Sequence, residues 1–205
     1  LNVETLGSTS NSWDLWVYPE EKAMPAPEGI SLIRSLDKAA IAKLQAGGTV
    51  LLCPEATDLK DAVPGTFTSV FWNSLMKHRQ VSKTMGILCD PANPALADFP
   101  TEFHSNWQWW DLVMKSSAVR LDSLPAALRP IVGVVDSPHE NRHLAMVFEA
   151  KVGSGRLMFC STDIITDLES RPVARQLRLS LFKYMASPMF YPDVEISVGD
   201  LEKIL

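Results

Sequence analysis

The stretch from Ser35 to Pro54 constrains the fold more than any other part of the chain. Leu36, Ala39, Ala40, Lys43 and Leu44 recur at helical spacing behind Ser35, a residue type suited to a helix N-cap. Gly47-Gly48 then ends the helix, and the apolar run 49–53 follows and stops at Pro54. A helix, a double glycine, a short buried strand and a proline, in that order, make one α/β unit. The order returns further on, with a helix expected over 71–78 and a strand over 85–89 that Asp90-Pro91 closes. Strands alternating with helices of this length predict an α/β three-layer sandwich around a mostly parallel sheet.

Other segments fill in this outline. Residues 1–12 are rich in Ser, Thr and Asn and read as a linker or boundary; the domain is expected over 13–187, with 188–205 as a tail of short pieces. Trp13, Leu15 and Val17 alternate with Asp14, Trp16 and Tyr18, the pattern of a strand that ends at Pro19. Strands are expected over 131–135 and 144–150, and Gly153-Ser154-Gly155 turns the chain into a further strand over 156–161 that makes a hairpin-like pair with the one before it. Arg171-Pro172 opens a closing helix in which Val173, Leu177, Leu181 and Met185 recur every four residues.

Composition removes whole classes of function. With 205 residues, 46% of them hydrophobic, the chain can bury one sizeable core. A net charge of -5 opposes a phosphate-neutralising surface, so nucleic acid is not expected as a partner. Apolar runs are no longer than about that of 131–135, far below the roughly 20 residues that cross a bilayer. The three cysteines, Cys53, Cys89 and Cys160, are odd in number and irregularly spaced, which supplies no disulfide framework. Because the chain starts at Leu1 without Met or an export signal, it is expected to be a processed or excised piece.

The most unusual composition lies over 98–110, where three of the six tryptophans and one of the four histidines fall together. Phe103, Trp107, Trp110 and Met114 stand at i, i+4, i+7 and i+11, which places Trp107 and Trp110 on a core face and leaves Trp109 off that stripe, toward solvent. A second reading takes the aromatics as a platform for sugar rings. In it Trp13, Trp16 and Trp109 stack, and Glu102, His104 and Asn106 hydrogen-bond hydroxyls. The simpler role for the polar three is to cap the helix that starts near Asn106.

Catalytic patterns are weaker. His139-Glu140-Asn141-Arg142-His143 matches H-E-x-x-H, which binds zinc only when a helix puts both histidines on one face. Strand patterns on both sides leave too little room for that helix, so a polar connection between strands is expected and no metal. Cys53 and Cys89 sit at strand ends, yet Pro54-Glu55 and Asp90-Pro91 follow them where a nucleophile elbow needs small residues. Buried thiols are the expectation, and nothing calls for a cofactor.

Four segments resemble a known family: 11–19 (Asn-Ser-Trp-Asp-Leu-Trp-Val-Tyr-Pro), 98–110 (Asp-Phe-Pro-Thr-Glu-Phe-His-Ser-Asn-Trp-Gln-Trp-Trp), 129–136 from Arg-Pro-Ile-Val, and 148–157 (Phe-Glu-Ala-Lys-Val-Gly-Ser-Gly-Arg-Leu). The chain looks like the C-terminal region of β-galactosidase-like glycoside hydrolase family 2 proteins of Bacteroidetes type. Its Gly-x-Gly-Arg hairpin resembles the amidotransferase-like and trimerisation-type α/β domains appended to other galactosidases. The resemblance implies a flavodoxin-like or class I glutamine amidotransferase-like fold and catalytic glutamates in a separate upstream barrel, with none carried over to this sequence. It also implies a periplasmic or secreted parent. The expected function is that of a non-catalytic accessory domain, for packing against upstream domains of the same polypeptide, for homo-oligomer formation or for shaping the substrate side. The alternatives are a carbohydrate-binding module on the Trp cluster and a stand-alone amidase or metallohydrolase.

Overall fold

The first helix starts at Asp37 rather than at Ser35. In the computed structural model, which describes residues 2–5, 9–20, 24–67, 84–137 and 139–205, the Asp37 carboxylate accepts from the Ala40 N–H at 2.8 Å. Helix α1 then runs Lys38–Gln45. At its end the Gly48 N–H donates to Lys43 O and the Gly47 N–H to Leu44 O, with Gly47 at φ +87°, a paired closure that glycine adopts without steric cost. The chain can then enter β4 (Thr49–Leu52), every residue of which is buried. The helix expected over 71–78 lies outside the described residues.

The sheet departs from the sequence expectation. Eight strands join in it, and β4 lies between β3 (Ile30–Ile33) and β10 (Gly155–Cys160), parallel to both. Every other pairing is antiparallel. The long strand β9 (Leu144–Val152) takes β10 and β7 (Ser117–Arg120) as well as β8 (Pro130–Val135), while β6 (Gly86–Cys89) pairs with β8 and β5 (Val63–Pro64) with β7. The mostly parallel, flavodoxin-like or amidotransferase-like sandwich is therefore overturned: the fold is mixed α/β around a mostly antiparallel sheet. The reason is connection length. Only Gly153 and Ser154 separate β9 from β10, and residues 136–143 join β8 to β9, whereas a parallel neighbour needs a crossover of about a dozen residues or more.

Two further segments differ. Residues 2–5 and 9–12, read as boundary, pair as the antiparallel hairpin β1 (Asn2–Thr5) and β2 (Thr9–Ser12). Residues 13–18, expected as a strand that ends at Pro19, make none. They are tied down by side chains instead: the Tyr18 hydroxyl donates to Gln108 Oε1, and an Arg175 N–H reaches Pro19 O.

Strand alternation divides the core into two layers. Val50, Leu52, Leu157 and Phe159 face one side, where they meet Leu44 of α1 and Leu201 of α4 (Val198–Ile204). Leu51, Cys53, Met158 and Cys160 face the other, against Leu177 and Leu181 of α3 (Pro172–Ala186) and Leu112 of α2 (Trp110–Met114). Helices α1 and α3 thus cover opposite faces. Among the described residues no helix is long and apolar enough to cross a membrane.

Candidate functional site

Asn106 begins the aromatic segment as a cap, its Oδ1 accepting from the Gln108 N–H at 3.1 Å. A 3₁₀ turn, Trp107–Trp109, passes directly into α2. On this stretch two apolar stripes compete for the interior. Trp109, Leu112 and Val113 win it, with Trp109 fully buried. Its indole N–H donates to Thr101 Oγ1 at 2.7 Å and its ring meets Phe99 edge-on at 5.2 Å. The competing stripe is left in solvent: Trp107 is 70% exposed, Trp110 51% and Met114 50%.

The shared face of Trp107, Trp110 and Met114 is therefore present, but it points outward, and Trp109 is the buried member of the trio. A helix apolar on both sides is ordinarily a covered helix. Nearby, the edge strand β6 is capped by a single bridge from Leu88 to His104 and by the Phe103 carbonyl, which accepts from the Cys89 N–H at 3.0 Å. Met85, Leu88 and Phe103 are exposed there.

Of the proposed sugar-contacting groups, Glu102 and His104 form an exposed pair, Oε2 to Nε2 at 3.2 Å. Asn106 spends its side-chain oxygen on the cap. Trp13 is exposed and Trp16 half-buried, both on the segment that Tyr18 anchors, whereas Trp109 has no free face for stacking.

Residues 139–143 form a turn rather than a helix. The Glu140 and Asn141 N–H groups both point to Ser137 O, Asn141 takes φ +50°, and β9 starts at Leu144. What organises this turn is Asp136, which accepts from the Arg142 backbone N–H, Nε and Nη2 at 2.8 to 2.9 Å. Those bonds hold its carboxyl down at about 2. Among the described residues no three His, Cys, Asp or Glu gather as a metal site.

The cysteines are buried. Burial, with Cys160 beside it, pushes the Cys53 thiol well above its ordinary value, and burial with Asp90 nearby pushes Cys89 up to about 11. A nucleophilic cysteine needs the opposite shift.

A second feature was not anticipated. A cleft of about 380 Å³ opens where β3, β4 and β10 end, lined by Arg34, Cys53, Glu55, Lys115, Ser161 and Asp163 among others. Its wall is held by Arg171, a buried guanidinium that reaches Asp111 at 2.7 Å, Asp163 at 3.2 Å, and the carbonyls of Asp163 and Thr166. Burial pushes the Asp163 carboxyl up. Hydrogen bonds from Thr166 and Ile165 and the Arg171 charge outweigh that and leave it below its ordinary value. A usable signal existed in the sequence: Arg34, Cys53 and Ser161 each stand one residue past the end of a strand in the parallel set.

The model of a family described as Domain of unknown function (DUF8487) matches residues 31–205. That span runs from β3 through α4 and includes both the aromatic face and the cleft. No curated protein matches the chain.

Proposed function

We propose that this chain, which belongs to the DUF8487 family, is a non-catalytic accessory domain of a β-galactosidase-like family 2 glycoside hydrolase that packs against neighbouring domains of its own polypeptide. The observation that carries this reading is the outward face of Trp107, Trp110 and Met114 on a segment whose inward face is already apolar. Covering half of an indole removes on the order of 100 Å² from water, roughly 2 kcal/mol before ordering costs. The exposed apolar groups on and around β6, Met85, Leu88 and Phe103, extend the same tendency. The raised Cys53 and Cys89 thiols speak for packing rather than acyl transfer. The link to glycoside hydrolases rests on the four resembling segments.

The test is the size of the native polypeptide in its source cells, read with an antibody against this chain. A band several times 22.7 kDa supports the reading; a band at that mass sinks it. One observation favours a second reading, carbohydrate binding: the Glu102–His104 pair lies next to the exposed Phe103 ring, whose centroid is 4.7 Å from that of His104. Tryptophan fluorescence unchanged by millimolar galactosides and by polysaccharide would remove that alternative.

A further inference from the structure

We propose that the cleft at the ends of β3, β4 and β10 binds a small polyhydroxylated anion, a sugar carboxylate or sugar phosphate. This does not rest on the packing role, although the cleft adjoins the aromatic face at the end of α2, where Met114 lines both.

Topology places a cleft here. After β3 the chain turns into α1, which covers one face of the sheet, and after β10 it turns into α3, which covers the other. Because β4 lies between β3 and β10, the loops that leave those two flanking strands toward opposite faces part over its end, and ligands of α/β sheets bind in a crevice so opened. Here the crevice holds about 380 Å³, at the small end of the range for ligand sites.

The lining sets the ligand chemistry. Asp163 is saturated by Arg171, Thr166 and Ile165, so it offers little to a ligand. Arg34 spends one N–H on Glu55, at 2.9 Å, and Lys115 has only a loose contact with Asp111, at 3.8 Å. Most of their donors are free to meet an anion. Ser161 and Ser116, both buried, give their protons to the carbonyls of Met146 and Val113. Each therefore faces the cleft as an acceptor, which suits a ligand that brings hydroxyl donors. Cations for the charged end and acceptors for hydroxyls together describe a sugar acid or a sugar phosphate. Glu55, paired to Arg34 at the mouth, is the built-in competitor for that anion.

The experiment is calorimetric titration of the 205-residue chain with galacturonate, galactose 6-phosphate, neutral galactose and acetate. One of the two sugar anions should bind saturably, more tightly than galactose or acetate, and the comparison between them assigns carboxylate or phosphate. Arg34→Gln and Lys115→Gln should each weaken that binding about tenfold, the loss of one charge-assisted hydrogen bond. Glu55→Gln should tighten it several-fold by freeing Arg34, a gain that a misfolded variant does not produce. No saturation by either sugar anion up to about 20 mM, a weaker limit than millimolar ligands show, would overturn the proposal. So would galactose binding equally well, or affinity indifferent to all three substitutions.

Discussion

Thr101 accepts the indole N–H of Trp109 at 2.7 Å, and this bond fixes which side of the aromatic segment faces inward. With Trp109 buried on Phe99, and Leu112 and Val113 following at helical spacing, Trp107 and Trp110 have no direction left but outward.

The two kinds of tryptophan should respond oppositely to truncation. Trp109→Ala should lower unfolding free energy by about 3–5 kcal/mol, the cost of an emptied core site. Trp107→Ala should cost no more than about 1 kcal/mol in the isolated chain, the order of its ring contact with Phe67 at 5.4 Å. Urea denaturation with unchanged slope reads both, and a reversed order would mean that the segment packs the other way round.

Gly155 should tolerate no side chain. A Cβ there would stand 2.4 Å from Leu44 O and 2.8 Å from Gly48 O, both backbone atoms, where β10 passes under the end of α1. Gly155→Ala should cost about 2–3 kcal/mol, as overpacking does. Gly199→Ala, whose new methyl would come no nearer than 3.7 Å to Ser197 Oγ, is the control. Equal melting temperatures for the two variants would contradict the close approach.

Acid should unlock the turn between β8 and β9. The folded carboxyl of Asp136 sits at about 2, below its unfolded value of about 3.9, so the stability it contributes is present above about pH 4 and is lost as pH falls toward 2. The loss should approach roughly 2 kcal/mol, and Asp136→Asn should remove that part of the pH dependence. Denaturation curves at a series of pH values check it; an unchanged slope in the variant would assign the acid loss elsewhere.

Cys53 and Cys89 should behave as structural thiols. At pH 8 in native buffer, iodoacetamide should label them slowly, and in urea all three cysteines should react. Rapid native labelling of Cys53, counted by mass spectrometry, would reopen the nucleophile reading.

Much of the local structure was legible in the sequence because its causes are local. Gly47-Gly48 ends α1 through bonds that span only six residues, Pro172 opens α3, and the Gly153-Ser154 turn joins β9 to β10. The helix N-cap was misread because Ser35 and Asp37 are both competent caps, and only the backbone path decides which one reaches a free N–H.

Strand direction and the orientation of the aromatic stripe were not legible, for a common reason. An apolar run records that a strand is buried but not which neighbour covers it. Residues 107–114 carry two apolar faces of similar strength, so periodicity marks both. By itself the sequence determined where the strands and helices of the sheet domain form, through spacing, glycine and proline, but not the hairpin at 2–12 nor the irregular path of 13–18. Tertiary structure alone decided that β9 also takes β7 and β8 as antiparallel neighbours, that Trp109 goes in while Trp107 stays out, and that Arg34, Cys53 and Ser161 come together at one cleft. Those outcomes depend on long-range contacts whose energies are summed over the whole core rather than written in any one segment.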